Sequence, residues 1–141
     1  MKTPSFLRSG LFFLAGFAAI TAFAADEFSK VYISHVLTAT DGAGRNLFAD
    51  GDTRATVINQ LGQPHYMLSP DVWLYRNQRA LNDSDAEKHG CREMVVSFAP
   101  GNKYKDQKVT AIVLANSRGV DKIERELKKN PRYLEDLLTG Y

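Results

Sequence analysis

The chain has 141 residues, 44% of them hydrophobic and 24% charged. That fits one globular domain and excludes low-complexity, collagen-like and disordered architectures. Lys and Arg total 18 against 16 Asp and Glu, a formal net charge of +2, and a single Cys excludes an internal disulfide framework or a multi-cysteine zinc site.

The N-terminus reads as an export signal. Lys2 and Arg8 give a positive start, and Leu11 to Ile20 is an uncharged apolar run. Ala22-Phe23-Ala24 then places small residues at the two positions that signal peptidase reads. Cleavage after Ala24 is expected, which leaves residues 25–141 as one mature α+β domain. The leader holds two of the basic residues and none of the acidic ones, so the mature chain carries 16 of each sign. That balance argues against nucleic acid as partner and against a polybasic membrane anchor. The apolar run is shorter than the roughly 20 residues of a membrane span. Leu14-Ala15-Gly16 opens like a lipoprotein box, but Phe17 stands where the lipid-bearing Cys is needed. The expected product is periplasmic or secreted, soluble, not lipidated and not stably inserted in a membrane.

Alternation in Phe28 to Thr40 predicts an opening strand. Asp41 to Gly44 is a turn, Leu47-Phe48 a small apolar anchor, and Asp50-Gly51-Asp52 a second turn. Thr53 to Leu61 is the clearest helix. Asp52 or Thr53 can cap it, Val57, Ile58 and Leu61 form one stripe, and Gly62 and Pro64 stop it. Val72 to Arg76, Glu93 to Phe98 and Val109 to Ala115 read as three strands without intervening helices, which favours an antiparallel sheet. A fourth strand is allowed for. Val120 to Lys129 predicts a helix with Val120, Ile123 and Leu127 inward and ion pairs at Asp121/Arg125 and Glu124/Lys128. Pro131 then opens a last helix carrying Tyr133, Leu134, Leu137 and Leu138 within a helical extension at 120–139.

Both faces of the three strands are apolar. Val72 and Leu74 oppose Trp73 and Tyr75; Met94, Val96 and Phe98 oppose Val95 and Ser97; Val109, Ala111 and Val113 oppose Thr110, Ile112 and Leu114. An antiparallel sheet with one wet face would alternate apolar and polar, so each face here needs cover. The helix at 53–61 can supply one cover. The C-terminal helices, or a partner, must supply the other.

Gly51-Asp52-Thr53-Arg54, Val57, Leu61-Gly62, Pro64 and Trp73-x-Tyr75 together resemble the BamE-like (SmpA/OmlA) family of small outer-membrane proteins that accompany β-barrel assembly. The resemblance covers residues 48–76 and implies a helix layer on a three-stranded antiparallel sheet, similar to the repeat unit of β-lactamase inhibitor proteins. The chain departs from the family in lacking the lipid-bearing Cys, in having Asp52 at a commonly apolar position, and in extending beyond residue 120. The resemblance implies a noncatalytic protein-binding module.

The chemistry-bearing residues point the same way. His35, His65 and His89 lack metal-ligand spacing, and His89-Gly90-Cys91 supplies only two ligands. Cys91 is either buried beside the second strand or available to another chain. Asp83, Asp85 and Glu87 miss the Gly and Glu that a calcium loop requires and read as a solvated acidic loop. No nucleophile elbow or phosphate-cradling loop occurs, so no catalytic residue and no cofactor is assigned. Trp73 and Tyr75, flanked by Tyr66 and Arg76, are the candidate partner contacts, because aromatics and Arg dominate interface hot spots. The competing reading packs both rings beneath a helix. Arg54 is read as a solvated cation in the first helical turn. The expected function is an envelope adaptor or outer-membrane assembly accessory whose partner is another envelope protein. An inhibitor of a periplasmic hydrolase, acting through the loop at 77–90, is the alternative, and a small enzyme or metal protein comes third.

Overall fold

The computed structural model describes residues 30–41, 43–76, 88–101 and 106–139. All but Lys30 lie in the compact unit Val31–Tyr141. The signal segment and most of the acidic loop lie outside the described residues. Seven strands and three helices follow in chain order: β1 (Ile33–Val36), β2 (Thr38–Thr40), β3 (Asn46–Ala49), α1 (Arg54–Leu61), β4 (Tyr66–Ser69), β5 (Val72–Tyr75), β6 (Glu93–Phe98), β7 (Val109–Ala115), α2 (Ser117–Lys129) and α3 (Tyr133–Thr139). Five strands form one antiparallel sheet in the order β1-β7-β6-β5-β4, and β2 pairs with β3 as a separate ribbon.

The three predicted strands are the centre of this sheet. The count of three, or four, is corrected to five plus the ribbon. The additional sheet strands are short edges, β1 and β4, each four residues long. The single strand expected over 28–40 is also corrected. It breaks at exposed Leu37, whose carbonyl accepts from the Asp50 amide at 3.1 Å, and β2 turns away to pair with β3. The Leu47-Phe48 anchor is part of that ribbon, with Phe48 buried.

Two buried clusters fill the two sides of the sheet. One joins Trp73, Tyr75, Met94, Val96, Phe98, Ile112 and Leu114 to Val57 of α1 and to Ala39 and Phe48 of the ribbon. The other joins Val72, Leu74, Val95, Ala111 and Val113 to Val120, Ile123 and Leu127 of α2 and Leu134 of α3. One face assignment changes. Val109 lies with the α1-side cluster, because a register shift between Ser97 and Phe98 leaves Thr110 as the extra residue opposite β6.

Local chemistry explains the helix ends. The Thr53 side chain caps α1 by accepting from the Thr56 amide. Gly62 ends it at φ +80°, a conformation that favours glycine, and its amide donates to the Ile58 carbonyl. Helix α2 starts three residues earlier than the apolar stripe suggests. The Asn116 side chain accepts from the Gly119 amide at 2.8 Å and from the Tyr32 amide at 3.2 Å, so one residue caps α2 and holds the approach to β1. The ion pair on α2 is Glu126–Lys129 at 3.7 Å; neither Asp121/Arg125 nor Glu124/Lys128 forms. Such exposed pairs contribute little in either arrangement.

Helix α3 is held by more than its apolar side. Leu134 is buried and Leu137 half-buried, whereas Leu138, expected on the inner stripe, is exposed. The Glu135 carboxylate accepts from the Ser97 hydroxyl at 2.5 Å and from the Thr110 hydroxyl. Ser97 of β6 and Thr110 of β7 thus meet the acid that α3 turns inward.

Two substitutions check this packing. A Cβ on Gly119 would lie 2.5 Å from the Tyr32 carbonyl oxygen and 3.1 Å from Ile33 Cγ1, so Gly119→Ala is expected to cost about 1–3 kcal/mol by overpacking. Leu134→Ala is expected to cost about 2–5 kcal/mol by leaving a cavity under α3. Urea unfolding of each variant measures both; unchanged midpoints would contradict the covering role of α2 and α3.

Candidate functional site

The expected site residues separate into an interior and a rim. Trp73 and Tyr75 are only 1% and 0% exposed, which corrects their assignment as surface contacts. Alternation along β5 sends both rings to the side that α1 covers. The Tyr75 hydroxyl donates to the Gly62 carbonyl at 2.8 Å, tying the end of α1 to the sheet. Trp73 meets Phe98 edge-on, with ring centroids 4.8 Å apart.

Arg54 is the largest departure from expectation. It is 1% exposed, not solvated. Its guanidinium carbon sits 4.2 Å from the Phe98 ring centroid and 4.8 Å from that of Trp73. Nε donates to Gln107 Oε1 at 2.6 Å, and Nη2 donates to the Pro70 carbonyl at 3.1 Å and to Asp71 Oδ1 at 2.9 Å. Gln107 also donates to that Asp71 oxygen, at 3.3 Å. Backbone pairing brings these parts together. Gly51 and Arg54 donate to the Val109 and Gln107 carbonyls, Val109 donates to Asp52, and Phe98 donates to Asp71. The start of α1, the β4–β5 turn, the end of β6 and the entry to β7 therefore converge on one cation. Aromatic faces and three oxygen acceptors offset its desolvation. The guanidinium thus ties four segments of the chain together.

Tyr66 and Arg76 are on the surface. Tyr66 is 53% exposed on the edge strand β4, and the adjacent Met67 is 49% exposed. Their register partners Leu74 and Trp73 lie in opposite clusters, so the two side chains flank the strand on opposite faces. The Arg76 amide donates to His65 Nδ1 at 3.2 Å, and its guanidinium pairs with Glu93 at 3.6 Å. Met67 was missed because β4 was not recognised; the signal available was an apolar Tyr-Met-Leu run between Pro64 and Pro70.

Among the described residues no three His, Cys, Asp or Glu side chains gather as a metal site, and no helix is long and apolar enough to cross a membrane. Cys91 is buried. The His89 ring packs 4.3 Å from that of Tyr32. His35 faces α3, and its Nε2 is buried without a hydrogen-bond partner among the described residues. Burial lowers its pKa from 6.5, against the opposing effect of a bond to the Leu134 carbonyl. The chain matches no family model, no curated protein and no solved structure.

Arg54→Ala is expected to destabilise the fold by about 3 kcal/mol, by stranding the groups that surround the guanidinium. Chemical denaturation followed by Trp73 fluorescence reads this directly. For His35, the folded pKa lies below the unfolded one, so its contribution is complete above pH 6.5 and is lost as pH falls from there toward the lower folded value. Urea midpoints from pH 8 to pH 5 should fall in that window, and less in His35→Gln; an identical fall in both proteins would contradict the assignment.

Proposed function

We propose that this chain is an exported, noncatalytic protein-binding module of the cell envelope, an adaptor or outer-membrane assembly accessory of BamE-like type. The carrying observation is Tyr66 and Met67, consecutive residues of an edge strand whose large side chains are exposed, one on each face, while the faces of the sheet are filled from within. An aromatic, a Met and the neighbouring Arg76 match the residue types enriched at protein interfaces. An edge strand adds main-chain donors and acceptors that a partner can pair with. The signal-like N-terminus supports export, and the helix start, stop and Trp-x-Tyr pattern support the family likeness. Trp73 and Tyr75 serve this reading indirectly, by fixing β5 beneath the exposed strand.

In vivo cross-linking and affinity purification should recover an envelope protein with the wild-type chain. The double variant Tyr66→Asp/Met67→Asp should lose it while unfolding at nearly the same temperature, since exposed substitutions usually shift stability by less than about 0.5 kcal/mol. Equal recovery by both proteins would overturn the reading.

A further inference from the structure

Helix α2 carries a row of cations on its outer side. Arg118, Lys122, Arg125 and Lys129 recur at i, i+4, i+7 and i+11, while Val120, Ile123 and Leu127 point into the core. At 3.6 residues per turn the four fall within about 60° of arc and span roughly 16 Å. Arg118, Arg125 and Lys129 are exposed and Lys122 is half-buried. Lys129 pairs with Glu126, and among the described residues the other three form no ion pair. The balanced charge of the mature chain conceals this segregation.

Arg118/Lys122, Lys122/Arg125 and Arg125/Lys129 are like-charge neighbours, and Asp121 and Glu126 offset them as opposite-charge neighbours at i,i+3 and i,i+4. Lys129 suits the last turn, whereas Arg118 lies in the first turn, where the macrodipole favours an acid and α2 has none. Pairing within the helix therefore does not account for a row that stays cationic at its centre. Asp121 borders the row on one side and Glu126 on the other. These acids repel a broad anionic plane or a nucleic-acid duplex but leave room for a narrow acidic rod. The opposite, inward side of α2 packs against β4, with Leu68 in the shared cluster.

We propose that the outer face of α2 docks a narrow acidic element of a partner protein, a helix or strand bearing a row of Asp and Glu side chains. The inference rests on the protein-binding reading and names the charge its partner presents. The full exported chain is titrated with a fluorescent helical peptide carrying Glu at i, i+4, i+7 and i+11, at low and at high salt. Binding should weaken as salt rises. It should weaken roughly tenfold or more in Arg118→Gln/Lys122→Gln/Arg125→Gln/Lys129→Gln, as expected for several exposed charge pairs lost together. The same variant should unfold at nearly the same temperature, because its lost like-charge and opposite-charge contacts offset one another. Absence of peptide binding, equal binding by the variant, or stronger capture by phosphatidylglycerol vesicles or by duplex DNA would each overturn the proposal. Tyr66→Asp/Met67→Asp should bind the peptide normally, so failure of the cation row and failure of the edge reading are distinguishable.

Discussion

A buried guanidinium holds the parts of this domain together. Removing Arg54 from water costs several kcal/mol unless its charge is met on all sides. It is met by the Asp71 carboxylate, the Gln107 side-chain carbonyl, the Pro70 carbonyl and the faces of Trp73 and Phe98. Those partners come from the β4–β5 turn, the approach to β7, and the two central strands β5 and β6. None can move far without stranding the others. The short helix α1 is thereby fixed to the sheet by charge at its first residue and by Val57 and the Tyr75–Gly62 bond further along.

That interior commitment shapes where recognition can occur. The large aromatics of β5 are used to cover Arg54 and to pack under α1, and α2 and α3 fill the opposite side. The inward-turned Glu135, bound to Ser97 and Thr110, adds a polar lock to the apolar docking of α3. Large exposed apolar side chains then lie at the sheet's rim, at connections and at Leu138 of α3, with Tyr66 and Met67 on β4. Charge accumulates on the outer side of α2, which packs beside that same strand. In the proposed reading the apolar edge would supply hydrophobic contact and the cation row electrostatic contact, which carry affinity and orientation respectively.

The sequence made the central sheet legible, because β5, β6 and β7 are dense apolar runs with turn signals around them. Helix α1 was equally readable from its Thr53 cap and Gly62 stop. Edge β4 was not, since its four residues give too little alternation to separate a strand from a loop; β1 lies within the strand expected over 28–40, whose break at Leu37 no alternation marks. The Ser97/Phe98 bulge moved Val109 to the other face, and no local signal announces such a shift. Arg54 was misread because its burial depends on three segments distant in sequence; alone, a cation one residue into a helix resembles a solvated one. Of the candidate contacts, Tyr66 and Arg76 are on the surface, while Trp73 and Tyr75 illustrate that an aromatic's area is more readily used in a core. The cation row of α2 lies in the spacing of its residues, but the equal numbers of acids and bases over residues 25–141 conceal it.

In the proposed reading, recognition belongs to the rim and not to the buried aromatics. Photo-cross-linking in living cells tests it most directly, with a benzophenone amino acid introduced singly at Tyr66, Met67, Trp73 and Tyr75 in the full exported chain. Cross-links to another envelope protein are expected from positions 66 and 67 and none from 73 and 75. Cross-links of equal yield from 73 or 75 in a stably folded chain, or none from 66 and 67, would contradict it.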